Sequence, residues 1–353
     1  MIKECIQKLV EGSNLSYMEA QGGIKEILAG DVTNAQIAAF LIALRMKGET
    51  VEEITALAEF MREECTRICP SITGRLIDTC GTGGDKIKTF NISTASAFVV
   101  AGAGVAIAKH GNRAVTSKSG SADVLEYLGL NLNMQPADVQ RTIEQIGIGF
   151  LFAPAFHPAM KYAVTPRKEV GIRTIFNLLG PLTNPASANA QLLGTYDAKL
   201  TVPLAHTLKN LGCTEAMIVH GLNGIDEIST IGKTRISHLK DKKVVTFETV
   251  PKDFGVKKAK IEELQGTDIE NNAQILFKIL SGYYTEKDPK IEVTLVNSAA
   301  GLMVGGKADN FKVGIEIAQE SIRSGAAYKK LKALIKESDG NFAKLEELEK
   351  KHE

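Results

Sequence analysis

Apolar residues in the first part of the chain recur at the spacing of α-helices. Between residues 24 and 61, many apolar positions fall three or four apart, as on one face of a helix. Thr33 or Asn34, and further along Thr50, stand where N-cap residues would begin two of these helical segments. The pattern therefore predicts a small helical domain that ends near Pro70.

After residue 70 the pattern changes to short apolar runs of strand length that alternate with helical segments. The runs that we predict as strands span residues 76–77, 105–108, 148–152, 216–219 and 243–250, the last at an edge of the sheet. Such alternation is typical of a largely parallel sheet with crossover helices. We therefore predict an α/β fold, with a small N-terminal helical domain over residues 1–70 and a large α/β domain over residues 71–353 around a mostly parallel central sheet.

Two later segments carry further predictions. Residues 180–185 (GPLTNP) contain two prolines, which predict a rigid turn near a hinge. Residues 311–335 predict one amphipathic helix, followed by a charged tail to residue 353. Neither segment changes the predicted α/β class.

A glycine-rich segment, residues 80–94 (CGTGGDKIKTFNIST), lies between the first predicted strand and a helix. Glycines at three of four successive positions let the backbone turn tightly and let a ligand approach without meeting a Cβ atom. Asn91 is a candidate N-cap, so we expect the amides of residues 92–94 to be unpaired donors that favour a phosphate. The dinucleotide-binding motif fails because Lys86 stands where its third glycine belongs, and the Walker motif does not fit at Gly81 either. A plain tight turn remains the alternative.

A second polar segment follows the second predicted strand. Residues 109–121 (KHGNRAVTSKSGS) gather basic groups and hydroxyl groups on one strand-end loop. Lysine supplies a point charge for a phosphate, and the hydroxyls and loop amides supply hydrogen-bond donors. Ligands of open α/β sheets bind beyond the carboxyl ends of the strands, so this loop and the glycine-rich segment can share one site. A solvated turn is the alternative.

An acidic pair, Asp226 and Glu227, follows the predicted strand at residues 216–219, in a loop that also contains Gly221 and Gly224. Magnesium prefers carboxylates, water and substrate phosphates as ligands. A solvated acidic turn is the alternative interpretation. The two candidate phosphate loops favour the magnesium interpretation, because a cation site is expected where phosphates accumulate.

Composition and charge narrow the class of protein. The 353 residues are 44% apolar and 24% charged, as in ordinary globular proteins, and the net charge of +1 argues against nucleic acid or a membrane surface as a partner. The chain shows no long apolar run and no signal-peptide pattern at its start, so we expect a cytoplasmic protein. The five scattered cysteines fit reduced thiols, and Cys65 and Cys69 lack the companions of a zinc site.

Seven segments in order along nearly the whole chain resemble one known family. They are GTGGD at 81–85, NIST at 91–94, KHGNR at 109–113, SGSAD at 119–123, HPAMK at 157–161, GIRTIFNLLGPLTNP at 171–185 and GIDE at 224–227. Together they resemble the anthranilate phosphoribosyltransferase family. The resemblance implies a helical domain hinged to an α/β domain, and a homodimer formed through the helical domains. It also implies transfer of the phosphoribosyl group of phosphoribosyl diphosphate to the amine of anthranilate, a step of tryptophan biosynthesis.

The resemblance assigns a role to each matching residue. Phosphoribosyl diphosphate would be held by Gly81, Gly84, Asp85, Thr89, Asn91, Ile92, Ser93, Thr94, Lys109, His110, Gly111, Asn112, Arg113, Ala114, Val115, Thr116, Ser117 and Ser121. Magnesium, as two ions per site, would be held by Ser93, Asp226 and Glu227, and anthranilate by Gly81, Asn112 and Arg167. The residues assigned to catalysis are Lys109, His110, Asn112 and Arg167. One departure is Pro166, which stands before Arg167 where a small apolar residue is expected.

The implied chemistry suits these residue types. Cleavage between ribose C1 and diphosphate leaves a cation-like sugar and a highly charged leaving group, which magnesium, Lys109 and helix amides can stabilise. The aromatic amine of anthranilate is neutral at pH 7, so it needs no base before it attacks. His110 can accept the proton after attack, or can simply hydrogen-bond within its loop.

Two other functions stay open at this point. A pyrimidine nucleoside phosphorylase of the same fold also cleaves a bond at ribose C1, but it uses inorganic phosphate and needs no acidic pair for diphosphate-bound magnesium. A non-catalytic phosphometabolite-binding protein would keep the pocket without turnover. Asp226 and Glu227 argue against the first alternative, and the presence of every assigned group argues against the second.

Overall fold

The computed structural model of the chain describes residues 1–84, 87–114, 119–285 and 287–352. Within these ranges the helices are α1 (Ile2–Val10), α2 (Tyr17–Ala29), α3 (Asn34–Lys47), α4 (Val51–Glu63), α5 (Ile92–Gly102), α6 (Ser121–Tyr127), α7 (Pro136–Ile146), α8 (Ala153–Phe156), α9 (Lys161–Val170), α10 (Ile175–Leu182), α11 (Thr201–Asn210), α12 (Ile261–Leu264), α13 (Ile269–Leu280), α14 (Pro289–Val304), α15 (Phe311–Arg323), α16 (Ala326–Glu337) and α17 (Ala343–His352). The strands are β1 (Leu76–Gly81), β2 (Ala106–Gly111), β3 (Ile148–Phe152), β4 (Ala190–Gly194), β5 (Glu215–Gly221), β6 (Thr234–Lys240) and β7 (Lys243–Thr249). No helix within the described ranges is both long and apolar enough to cross a membrane.

The N-terminal helices begin at capping residues that the sequence pattern predicts. The hydroxyl of Thr33 accepts from the Gln36 amide at 3.3 Å, and the hydroxyl of Thr50 accepts from the Glu53 amide at 3.2 Å. Both caps are capping boxes, in which the third helical residue bonds back to the cap. Glu53 is fully buried, but its oxygens also accept from the Leu15 amide and the Lys47 ammonium, so its charge is paired.

Two later helices complete the helical layer. Ala163 of α9 and the apolar face of α10 join the same buried cluster as the apolar residues of α1–α4. Arg62, at the end of α4, donates to the carbonyl oxygens of Leu182 at 2.7 Å and Leu211 at 3.2 Å. The layer therefore combines residues 2–63 with residues 161–182, and the domain boundary at residue 70 stays a prediction.

The α/β region is built on a seven-stranded sheet with the order β3-β2-β1-β4-β5-β6-β7. The five strands from β3 to β5 are parallel, and β6 and β7 add antiparallel pairs at one edge, as predicted for residues 243–250. Ile77 of β1 pairs with Ile107 on one side and with Ala190 on the other, so the strand order reverses direction at β1. This reversal is the point at which open α/β sheets bind their ligands.

Three local predictions need correction. Strand β2 continues through Gly111 because Lys109 and His110 pair with β3 at Phe150 and Leu151, so both residues lie in a strand and not in a loop. The predicted turn at 180–185 begins inside α10, which continues through Pro181 to Leu182. The predicted helix at 311–335 is two helices, since Gly325 adopts a left-handed φ of 72° between them, and residues 343–352 of the tail are helical.

Candidate active site

A cavity of about 340 Å³ opens at the carboxyl ends of β1, β2 and β5. Its lining comes from residues 80–84, 88–94, 109–114, 119–121 and 226–227, with Ala153, Arg167, Phe176, Asn177, Gly180 and Pro181 from the helical side. The two polar segments and the acidic pair therefore meet at one place, with the helical layer as an opposite wall.

Most of the residues assigned from the sequence line this cavity. They are Gly81, Gly84, Thr89, Asn91, Ile92, Ser93, Thr94, Lys109, His110, Gly111, Asn112, Arg113, Ala114, Ser121, Arg167, Asp226 and Glu227. Four assigned residues, Asp85, Val115, Thr116 and Ser117, lie outside the described residues. The individual roles stay predictions, but the shared location is what a single substrate site requires.

The start of α5 differs from the predicted cap. Asn91 occupies the N-cap position, yet its side chain does not cap the helix and instead accepts from the Ser119 hydroxyl at 3.3 Å. The Ile92 amide donates to the Phe90 carbonyl, and the Thr94 amide donates to the Asn91 carbonyl. Of the three amides expected to be unpaired, only that of Ser93 lacks a backbone acceptor in the described part of the chain.

Residues distant in sequence brace the two phosphate-binding candidates. The Phe90 amide donates to the Leu264 carbonyl, and the Gly266 amide donates to the Lys88 carbonyl, each at 3.0 Å. Asn272, buried in α13, donates through its side-chain amide to the Ser119 hydroxyl, which in turn bonds Asn91. Sequence reasoning missed this support, because an asparagine in an amphipathic helix carries no local signal for such a role.

Lys109 and Asp78 are buried side chains beside the cavity, and each affects the charge of the other. The Lys109 ammonium donates to the Thr79 carbonyl at 2.6 Å, and burial lowers its pKa while Asp78 and Glu227 oppose that shift. Burial raises the pKa of Asp78 to about 6, although nearby Lys109 favours the carboxylate. One Asp78 oxygen accepts from the His110 amide at 3.2 Å, and the other has no hydrogen-bond partner among the described residues.

Two histidines lie together at the base of the helical wall. The rings of His110 and His157 are 5.2 Å apart between centroids. His110 donates through Nδ1 to the Gly180 carbonyl at 3.1 Å, which leaves Nε2 as an acceptor with no partner in the described ranges. Burial lowers the pKa of His110 to about 3 and that of His157 to about 4, so both rings are neutral near pH 7.

The two assigned arginines have different surroundings. Arg167 lies on α9 after Pro166, and its guanidinium stands over the Phe176 ring at 5.2 Å, where burial lowers its pKa. Arg113 instead forms ion pairs with Asp123 and Glu126. The Arg167 guanidinium is therefore available to bind a carboxylate in the cavity. The Arg113 guanidinium is already in ion pairs with two carboxylates of the protein.

The acidic turn touches the glycine-rich segment directly. A Cβ atom at Gly81 would lie 2.8 Å from Oδ2 of Asp226, so the glycine makes room for this carboxylate. The turn is held by a bond from the Gly221 amide to the Ile225 carbonyl at 2.9 Å. Among the residues that the structure describes, no group of three His, Cys, Asp or Glu could hold a metal alone. The donor set therefore fits a magnesium ion that takes its other ligands from substrate phosphate, water and a hydroxyl such as Ser93.

Comparison with known proteins agrees with this geometry. Residues 3–65 match the family described as "Glycosyl transferase family, helical bundle domain", and residues 73–328 match "Glycosyl transferase family, a/b domain". The anthranilate phosphoribosyltransferase of Acetivibrio thermocellus is 51% identical over 94% of this chain and 95% of its own length, and that of Petrotoga mobilis is 52% identical over 95% and 96%.

Solved structures give the same result. The anthranilate phosphoribosyltransferase of Thermus thermophilus superposes with a TM-score of 0.89 at 38% identity, covering 95% of this chain and 99% of its own. The Saccharomyces cerevisiae enzyme, solved in complex with PRPP and Mg, gives a TM-score of 0.88 at 31% identity, covering 96% and 98%. With matches of this strength over nearly its whole length, the chain belongs to the anthranilate phosphoribosyltransferase family.

Proposed function

We propose that this chain transfers the phosphoribosyl group of phosphoribosyl diphosphate to the amine of anthranilate, giving N-(5-phosphoribosyl)anthranilate and diphosphate in tryptophan biosynthesis. The observation that carries the proposal is the meeting of two polar loops and an acidic turn in one cavity, with the Asp226 carboxylate against Gly81. Hydroxyls and amides bind phosphate oxygens, while carboxylates bind the accompanying cation.

The metal site consists of Asp226, Glu227 and the Ser93 hydroxyl. When bound there, as two ions, magnesium neutralises the negative charge that develops on the departing diphosphate. Support comes from the yeast relative solved with PRPP and Mg, from the Asp226 carboxylate beside Gly81, and from Glu227, which lines the same cavity. Glu227 is close enough to Lys109 to affect that ammonium electrostatically, so both signs of charge are available to a magnesium diphosphate.

Lys109 acts as a fixed positive charge under the phosphates. One of its three donors is used by the Thr79 carbonyl, which holds the ammonium in place and leaves two donors for the substrate. Because the ammonium is already desolvated by the fold, its attraction to developing charge is not weakened by water. This preorganisation lowers the barrier to cleavage of the C1–O bond.

Anthranilate is bound between the helical wall and the phosphate loops. Arg167 pairs with both oxygens of its carboxylate, and Asn112 orients the amine toward C1. As the C1–N bond forms, the nitrogen becomes a cation and gives up one proton. His110 lines the cavity with a neutral ring, and its unpartnered Nε2 atom is the acceptor for this proton, which suffices because an aryl ammonium is a strong acid.

Three further features belong to the same proposal. The family resemblance supports a homodimer formed through the helical domains and a cytoplasmic location. We place the division between helical and α/β domains near residue 70, with residues 161–182 joining the helical side. The match of separate family descriptions to residues 3–65 and 73–328 supports that division.

The direct test is the loss of anthranilate fluorescence. We expect emission to decay only when enzyme, phosphoribosyl diphosphate and magnesium are all present. A parallel assay offers thymidine or uridine with inorganic phosphate. Phosphorolysis of these nucleosides without anthranilate turnover would favour a pyrimidine nucleoside phosphorylase, and binding without either reaction would favour a non-catalytic phosphometabolite-binding protein.

A further inference from the structure

Arg173 lies outside the cavity lining but holds the tip of the glycine-rich segment. It stands in the short connection between α9 and α10, and its guanidinium donates to the carbonyl oxygen of Gly84. The same guanidinium lies over the ring of Tyr196, with Cζ 4.5 Å from the ring centroid. Arg173 therefore makes a hydrogen bond and a cation–π contact at once, which fixes its orientation.

Tyr196 ties this contact to the other side of the loop. Its amide donates to the Thr82 hydroxyl at 3.1 Å, and the Thr82 amide donates to the Gly194 carbonyl at 2.9 Å. The Tyr196 ring packs against the apolar cluster of the helical layer, near the charges of Arg45 and Glu49. The glycine-rich segment is thus connected to the helical layer through Tyr196 and Arg173.

The backbone at Gly83 and Gly84 is flexible, so its conformation depends on contacts from outside the loop. Gly83 and Gly84 both have left-handed φ values, 72° and 86°, and glycine peptides rotate with little steric resistance. A peptide that turned the Gly84 carbonyl into the cavity would direct a partial negative charge at the phosphates. A Cβ atom at Gly84 would collide with the Arg173 guanidinium, so any other residue here would displace that guanidinium.

Arg173 also lies between residues that line the cavity from the helical side. Arg167 precedes it on α9, and Phe176 and Asn177 follow it on α10, all three lining the cavity. On the basis of the proposed function, we infer that Arg173 is a positioning residue: it holds the Gly84 carbonyl away from the diphosphate and couples the phosphate loop to the helical wall. Because Arg173 does not line the cavity but bonds Gly84, which does, its effect passes through the loop.

The test measures binding of phosphoribosyl diphosphate with magnesium by calorimetry, together with KM for both substrates. For Arg173→Ala we expect about tenfold weaker binding of phosphoribosyl diphosphate and an anthranilate KM within about twofold of wild type. Arg173→Lys, which keeps one donor, should recover part of the loss. The control is Arg141→Ala, which removes an exposed arginine of α7 that pairs with Asp138. Both alanine variants should melt at the same temperature.

A second measurement tests the contact itself. Gly84→Ala should weaken diphosphate binding severalfold less in the Arg173→Ala background than in wild type, because the collision is gone. The inference is overturned if the two changes are additive, if Arg173→Ala behaves like Arg141→Ala, or if it weakens both substrates equally. Calorimetry keeps these outcomes separate from the proposed function, which fails only if wild type does not consume anthranilate.

Discussion

Each end of the parallel sheet carries a cluster of charged and polar side chains, and the two clusters differ in how many of their polar atoms have hydrogen-bond partners. At the amino end, Arg75 donates to Glu215 and to the Val304 carbonyl, both at 2.7 Å, and His238 bonds the second Glu215 oxygen at 2.9 Å. We call this set the amino-end cluster. At the carboxyl end, the carboxyl-end cluster of Asp78, Lys109 and His110 leaves an Asp78 oxygen and the His110 Nε2 without partners among described residues.

This difference in pairing indicates that one cluster stabilises the fold and the other serves the substrate site. A buried polar group without a partner costs free energy, so a fold retains one only where something compensates for the cost. The amino-end cluster needs nothing more and stabilises the junction of β1, β5 and α14. The carboxyl-end cluster keeps its unpaired polar atoms beside a cavity in which charged substrates are to be bound. Substitutions in the two clusters should therefore affect different properties.

The largest expected effect is on turnover after Lys109→Met. Loss of one preorganised charge at the leaving group should lower kcat by roughly 1000-fold. Stability should change little, because Asp78, whose pKa is already raised to about 6, takes up a proton. The measurements are the fluorescence assay and a urea titration at pH 7. If the variant kept its kcat but lost much of its stability, Lys109 would have a stabilising role like that of the amino-end cluster.

The next effect concerns His157 and the pH dependence of stability. Burial lowers the pKa of His157 from 6.5 to about 4 on folding. Between pH 6.5 and pH 4 the imidazole of the unfolded chain therefore binds a proton, whereas that of the folded chain stays neutral. This contribution to stability is complete above pH 6.5 and is lost toward pH 4, by about 3 kcal/mol. His157→Gln should remove that slope from urea titrations between pH 7 and pH 4. His206→Gln, at an exposed histidine of α11, is the control, and parallel curves for wild type and His157→Gln would contradict the prediction.

Asp226→Asn tests the metal at the carboxyl end. The amide is a weaker ligand for magnesium, so we expect half-maximal turnover to need roughly 10- to 50-fold more magnesium. A magnesium titration of the initial rate at saturating substrates measures the shift. Asp253→Asn, in the short helical turn Pro251–Phe254, is a control with the same chemical change. An unchanged titration would return Asp226 to the role of a solvated turn residue.

Arg75→Met tests the amino-end cluster by stability alone. Glu215 would lose one bond inside the protein, but Arg75 is about one-third exposed and His238 remains, so we expect a loss of about 2 kcal/mol in the free energy of unfolding. The kcat of the folded enzyme should stay at the wild-type value. A fall in kcat without a loss of stability would show that the amino-end cluster contributes to catalysis and not to stability.

The smallest expected effect concerns one substrate. Arg167→Ala removes the guanidinium that lies over the Phe176 ring. Because this group pairs with the anthranilate carboxylate in the proposed function, the KM for anthranilate should rise about tenfold. The KM for phosphoribosyl diphosphate should stay within about twofold. Initial rates with each substrate varied in turn provide the comparison. Equal changes in both constants would remove the assigned role.

Local signals in the sequence predicted much of this structure. Helix caps such as Thr33 and Thr50 depend on residues three positions away, and the alternation of strands and helices is a local pattern that gave the α/β class correctly. The glycine-rich segment and the acidic pair were recognisable because their composition is unusual. Their meeting in one cavity followed from the rule for open parallel sheets.

Contacts between distant segments were not predictable in the same way. Asp78 falls just after the predicted strand at 76–77, and its proximity to Lys109 depends on the register of β1 with β2. Asn272 and Arg173 reach the phosphate loops from elements far along the chain. The sequence predicts that the Asn91 side chain caps its own helix, but its oxygen accepts from the Ser119 hydroxyl instead. A contact with a residue 28 positions away has no signal in the local sequence.

The discontinuous helical layer has a consequence for synthesis on the ribosome. Helix α9 begins 98 residues after α4 ends, so α1–α4 emerge well before the segments that cover them. At ordinary translation speeds this interval lasts about 5 to 20 seconds. During that time apolar side chains of α1–α4 that α9 and α10 cover in the finished enzyme face water.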